Sequence, residues 1–456
     1  RYTGWPNPLA NALLAEYVRA TDHLLDGFSP AAPIYLRFTA PIDPGSLPKD
    51  PPAATRPDSA VQLVDVDPSS PERGTRKLVQ LYWLEAGGEA TYWAPNTLAI
   101  MPMLGRPLRP KTRYAAVVTR RLNGKAGGTS APSADLEEVL GIRPPGARTA
   151  ATRRIFEPAL AELASAGVPT RDIVHLTVFT TNDPTQELFA AVDDLRANVP
   201  APTARDWSAR ETNPDHDLYE GTYGPSPSYQ AGTPPFVAKA DGGGFVLEGR
   251  TPRLQGSFDL RFALAVPRAD RCPPPVEGYP VVLYAHGTGG DYRSFVADGT
   301  SRALAQQCLA SMGVDQIFHG TRPGAPASDD PARESTVQLL FFNFDNPLAG
   351  RTNNRQSALD VVQQARLFRD ARVRVPAAVS RTGADVGFDP ARVLFFGHSQ
   401  GGLNGSLFLA SSDLARGGVL SGAGSLLAVS LLEKTKPVDV ASFVRILLGL
   451  GSDPAS

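Results

Sequence analysis

Residues 393–402 read VLFFGHSQGG, an apolar run that ends in Gly397-His398-Ser399-Gln400-Gly401. The G-x-S-x-G pattern has a steric meaning. A serine at a tight strand-to-helix turn needs small neighbours two residues away, or the backbone cannot pass itself. Such a turn lifts the serine Oγ out of its sheet and aims the first N–H groups of the following helix at it. The chemistry this suits is attack on a carbonyl, with backbone N–H groups holding the oxyanion that forms. Residues 284–290, YAHGTGG, supply a second turn at the end of another apolar run. Its glycines let backbone approach an oxyanion closely. The predicted donors are the backbone N–H groups of Thr288 and Gln400, each typically worth about 2.7–4 kcal/mol in a transition state. Gly397, Gly401, His286 and Gly287 are expected to shape the two turns, and Ser399 to be the nucleophile.

A serine nucleophile needs a base, and none of the six histidines follows Ser399. The elbow should turn His398 away from the Oγ. His286 is expected to order its own loop through a ring N–H bond, and His319, in FHGTR, to brace a loop nearby. His175 alternates within a strand pattern as a packed or surface residue, and His23 and His216 lie outside the sheet pattern. After Ser399 the acids are Asp413, Glu433, Asp439 and Asp453; neither Glu433 nor Asp439 follows a recognisable strand. No His/carboxylate spacing suggests a metal site. The two cysteines, Cys272 and Cys308, suggest one disulfide in an exported protein, with two buried thiols as the alternative.

Three textures position these residues. Residues 1–122 hold short β-type runs, PIYLRFTA, AVQLVDVD, KLVQLYWL, NTLAIMPM and RYAAVVTRRL, divided by Pro/Gly/Asp turns. They suggest an immunoglobulin-like antiparallel sandwich, preceded by a stretch with helical spacing. Residues 123–205 read as a helix–strand–helix bridge, with RTAATRRIFEPALAELASAG amphipathic and DIVHLTVFTT a strand. Residues 206–456 alternate apolar strands with helices, the pattern of a mostly parallel sheet covered on both faces. The 45 basic and 46 acidic side chains leave a net charge of −1, which argues against a nucleic-acid or anionic-membrane binder. No apolar run reaches the ~20 residues of a membrane span. The start at Arg1 suggests a removed signal segment or a trimmed chain.

The order strand–HGTGG–helix–strand–DQIFHGTR–helix–strand–GHSQGG resembles the α/β-hydrolase superfamily of serine esterases and lipases. The segment RFTAPIDPGSLP…NTLAIMPMLGRPLRPKTRYAAVVT resembles the immunoglobulin-like module of secreted bacterial lipases of the Pla-1/cef type. The resemblance implies carboxylic ester or lipid hydrolysis through an acyl-enzyme on Ser399, with Thr288 and Gln400 at the oxyanion positions and no metal or organic cofactor. It also implies the order Ser…Asp/Glu…His. Only 57 residues follow Ser399, with no His among them. The hydrolase domain is therefore expected to be incomplete at its C-terminus, its Asp and His carried on a further C-terminal segment. The expected setting is secreted or surface-attached. Two rival readings are a polyester depolymerase or acyltransferase, and a binding or adhesion protein with a degenerate hydrolase domain.

Overall fold

The computed structural model describes residues 5–85, 92–424, 427–435 and 439–450. The chain divides into two compact units, Arg1–Pro184 with Ser442–Ser456, and Thr185–Ala441.

In the first unit, the helical stretch near the start is α1 (Ala12–Leu24), capped by the Asn11 side chain on the Leu14 N–H. The five β-type runs each hold a strand: β1 (Ile34–Arg37), β2 (Val61–Asp65), β3 (Val79–Leu84), β4 (Thr97–Pro102) and β5 (Arg113–Thr119). A sixth, β6 (Ile173–Thr180), joins them. They form two three-stranded antiparallel sheets, β1-β4-β3 and β2-β5-β6. Alternate side chains of both meet in one core: Leu36, Val79, Leu98 and Ile100 from the first, Val61, Leu63, Ala116 and Val118 from the second. The other face of the second sheet is covered by α2 (Ala147–Ser165), whose Ala159 and Leu163 pack with Val64, Ala115 and Val117. The proposed bridge of residues 123–205 is thus split. Its strand is the ladder partner of β5 (Val117 opposite Leu176), so a boundary at residue 122 would cut a hydrogen-bonded sheet. Its second helix, α3 (Gln186–Asn198), belongs to the second unit, where Leu188, Val192 and Leu195 join the core.

The second unit is an eight-stranded sheet of β7 (Thr203–Thr212), β8 (His216–Ser228), β9 (Gly256–Pro267), β10 (Tyr279–Ala285), β11 (Ala310–Val314), β12 (Arg374–Val375), β13 (Val386–His398) and β14 (Gly418–Ser421). The order is β7-β8-β9-β11-β10-β13, with β12 beside the start of β13 and β14 beside its end. Strands β11, β10, β13 and β14 run parallel; β7, β8, β9 and β12 pair antiparallel. The expectation of a mostly parallel sheet is corrected to a mixed one. β7, TARDWSARET, is polar, and β8, HDLYEGTYGPSPS, is broken by Gly and Pro, so neither shows the apolar run of a central strand. Register shifts between them absorb the irregularity.

Every residue of β10 is buried. One face of the sheet, with Leu283 and Phe395, packs under α3, the helix α5 (Pro347–Arg369) and the helix α6 (Gln400–Ser411). The opposite face, with Tyr284 and Ala263, packs on Phe295. A further helix, α4 (Arg333–Phe342), precedes α5, and α7 (Leu427–Glu433) follows β14. Cys272 and Cys308 form a disulfide, Cα–Cα 5.6 Å, tying the loop before β10 to the turn before β11 across 36 residues. In the chain-entropy model such a closure stabilises by roughly 3–4 kcal/mol. No described helix is long and apolar enough to cross a membrane.

Candidate active site

Ser399 stands between β13 and α6 with φ 51° and ψ −114°. That region is sparsely populated for a residue with a side chain and costs roughly 1–3 kcal/mol, so the surroundings must impose it. They do so with three backbone bonds. The Ser399 N–H donates to the Ser421 carbonyl of β14 at 2.8 Å, Leu403 N–H donates to the Ser399 carbonyl at 3.0 Å, and Gly401 N–H donates to the His286 carbonyl at 3.1 Å. The glycine requirement is literal. A methyl on Gly397 would collide with the Gly401 carbonyl, and one on Gly401 with the Ala285 carbonyl at the end of β10.

The second turn meets the first because β10 and β13 are parallel neighbours, Ala285 opposite Gly397. A Cβ on Gly287 would lie 3.2 Å from the Ser399 Cβ. The Thr288 hydroxyl donates to Gln400 Oε1 at 2.9 Å, so the two residues predicted to hold an oxyanion are tied together. Among the described residues, the backbone N–H groups of Thr288 and Gln400 make no hydrogen bond, and neither does the Ser399 hydroxyl. α6 begins at Gln400, so its N–H has no intrahelical acceptor.

His286 and His319, which follow β10 and β11, are both engaged with backbone. His286 is buried; its Nδ1 bonds the Gly287 carbonyl at 2.7 Å, and its Nε2 accepts the Gln316 N–H at 3.1 Å. Burial pushes its pKa down to about 4. His319 bonds the Ile317 carbonyl through Nδ1 at 2.8 Å and accepts the Gly289 N–H at Nε2 at 2.9 Å. Burial, and then the neighbouring His286, push it down to about 3. Each is a neutral ring with both nitrogens committed to backbone, which rigidifies the 286–290 loop and leaves no lone pair for Ser399. His398 is exposed, with Nδ1 3.2 Å from the Ser421 hydroxyl. His216, expected outside the sheet pattern, opens β8 and is buried beside Asn213, and the His175 ring lies 5.7 Å from that of Phe38, tilted by 58°. The side chain of His23 lies outside the described residues, as does Asp453. Asp413 pairs with Arg196 at 2.8 Å, and Glu433 is exposed at the end of α7. Among the described residues, no three His, Cys, Asp or Glu side chains gather as a metal site.

The fold adds residues that sequence reading missed. Gln316, just after β11, donates from its amide to the His286 carbonyl and accepts at Oε1 from Asn404 of α6 at 2.8 Å. Arg333, in the first turn of α4, donates to the Gly289 carbonyl at 3.1 Å. Nothing local marks them, since Gln316 and Asn404 are 88 residues apart.

No family model and no curated protein matches this chain. Solved structures do. An acetyl xylan esterase from Paenibacillus sp. R4 is 15% identical with a TM-score of 0.30, over 53% of this chain and 60% of that one. Acetyl xylan esterase 1 from Thermoanaerobacterium sp. JW/SL YS485 is also 15% identical, TM-score 0.30, over 59% and 68%. A CE15 glucuronoyl esterase from Teredinibacter turnerae T7901 is 13% identical, TM-score 0.26, over 50% and 47%. The chain thus spans about half to two thirds of the length of these structures. At such scores the functional reading rests on the sheet order and the two turns themselves.

Proposed function

We propose that this protein is a serine hydrolase of α/β-hydrolase type that cleaves carboxylic esters through an acyl-enzyme on Ser399. The observation that carries the reading is the strained Ser399 beside two unengaged N–H groups, Thr288 and Gln400, whose side chains hold each other. In this reading the Ser399 Oγ attacks the ester carbonyl and its proton passes to a base. The carbonyl oxygen becomes an oxyanion held by the two N–H groups, and it collapses with expulsion of the alcohol. Water then releases the acid.

In the same proposal the base comes from a further polypeptide segment that carries an acid and a histidine and packs beside β14. Two facts support this. His286 and His319 have no free nitrogen, and β14 leaves Val419 and Leu420 56% and 40% exposed, an uncovered apolar margin next to Ser399. The Cys272–Cys308 disulfide supports a location outside the reducing cytosol.

The test is fluorophosphonate labelling with the adduct mapped by mass spectrometry, beside hydrolysis of p-nitrophenyl esters of graded chain length. An adduct on another serine, or undiminished hydrolysis by Ser399→Ala, would refute the nucleophile. For the base, the decisive observation is which polypeptide owns the imidazole within about 3 Å of the Ser399 Oγ in the labelled full-length protein. Ownership by residues 1–456 refutes the second segment.

A further inference from the structure

The outer face of the β1-β4-β3 sheet carries side chains that ester chemistry does not use. Alternation sends Leu36, Leu98, Ile100, Val79 and Leu81 into the core. It leaves Tyr35 and Arg37 of β1, Ala99 and Met101 of β4, and Gln80 and Tyr82 of β3 on the other face. Tyr35 and Tyr82 both pair with Ala99, so a tyrosine stands on each side of the smallest side chain in its row. Adjacent strands are ~4.8 Å apart, which puts the two tyrosine backbones about 10 Å apart. Trp93, from the turn entering β4, bridges them. Its ring lies 4.9 Å from Tyr35 and 5.5 Å from Tyr82, at 87° and 82° to them. Tyr35 is 42% exposed and Tyr82 is 62% exposed.

A lone exposed aromatic needs no explanation; three in contact on a sheet face do. Their chemistry is specific. Aromatic faces attract the polarised C–H groups on the flat side of a sugar ring, while hydroxyls and planar polar side chains meet its O–H groups. The tyrosyl hydroxyls, the Gln80 amide and the Arg37 guanidinium, on the same face, supply groups for the second task. Arg37 is the one charged side chain in these rows and makes no ion pair among the described residues. Its planar fork matches a carboxylate. A lipid surface fits less well, since it calls for several basic residues and aliphatic side chains that insert.

We propose that Tyr35, Trp93 and Tyr82 form a binding platform for a chain of pyranose sugars, and that Arg37 gives it a preference for chains bearing carboxylates. The platform is independent of Ser399 and stands or falls without the esterase reading.

Native affinity electrophoresis of the full chain tests it, with polygalacturonate as the acidic glycan and a soluble β-glucan as the neutral one. Both polymers should retard the protein, the acidic one more. Tyr35→Ala and Tyr82→Ala should each weaken binding about tenfold, while Tyr82→Phe keeps most of it. Unchanged melting by circular dichroism shows that these exposed positions do not unfold the unit. Arg37→Gln should remove the preference for polygalacturonate and leave β-glucan binding intact. Ser399→Ala should bind as the wild type does, even if it abolishes ester hydrolysis. The proposal is overturned by no retardation in either polymer, by wild-type retardation of Tyr82→Ala, or by binding to phosphatidylcholine vesicles in place of the glycans.

Discussion

β13 and β14 are hydrogen-bonded neighbours, with Phe395 opposite Gly418 and Gly397 opposite Leu420, yet their environments are opposite. β13 lies between β10 and β14 with α6 packed on it; Phe395 is 2% exposed and meets the Phe408 ring at 5.5 Å. β14 pairs on one side only among the described strands, and α7 after it leaves Leu427, Val429 and Leu432 exposed. In the proposed ester chemistry, this contrast separates two halves. The half that must be rigid, an off-region Ser399 and two aimed N–H groups, sits where packing can enforce strain. The half that would move protons does not include His286 or His319, whose ring nitrogens are bonded to backbone, and β14 pairs on one side only among the described strands.

The largest effect expected is on the central half. Ser399→Ala should lower ester turnover on the order of 10⁴-fold or more, read as kcat/KM on a short-chain p-nitrophenyl ester. A loss below tenfold would move the chemistry away from the elbow. Next is packing under the same turn: Phe395→Ala should cost about 3–5 kcal/mol of unfolding free energy by urea denaturation, a cavity effect at a site with no route for collapse. A cost under 1 kcal/mol would mean that the centre is as loose as the edge.

A third prediction concerns the two neutral imidazoles. In the unfolded chain a histidine titrates near 6.5, while in the fold His286 and His319 titrate at about 4 and about 3. Both pKa values are depressed on folding. The unfolded state therefore takes up protons first as pH falls, and stability present above about pH 6.5 declines from there towards pH 3. Between pH 7 and pH 5 the loss should be on the order of 2 kcal/mol for each ring. His319→Gln should shrink the slope of stability against pH by about one proton.

The smallest effect belongs to the margin. Val419→Ala should change stability by under about 0.5 kcal/mol, as at any solvated position. A cost of about 1–2 kcal/mol, measured on the same chain, would show that β14 is covered in solution.

The candidate site was legible because its logic is local. Gly397, Ser399 and Gly401 sit two residues apart for a steric reason that any sequence reader can apply. The loop after YPVVLYA announces itself by the same density of glycine. The five strands of the first sandwich were equally plain, since short β-type runs divided by Pro, Gly and Asp turns mark strands locally. β7 and β8 were hidden because a polar strand and a proline-broken one are stabilised by their ladder partners and not by their own pattern. β6 looked like part of a bridge because its pairing with β5 spans a long separation.

The sequence by itself determined the elbow, the glycine-rich loop and the alternation of buried strands, since each depends on neighbours along the chain. Only the tertiary structure decided that Thr288 and Gln400 hold each other, and that His286 and His319 are spent on backbone. It alone stood Tyr35 and Tyr82 on either side of Ala99. Those outcomes depend on which distant segments share a sheet, and strand order and register, not local propensity, fix which side chains meet.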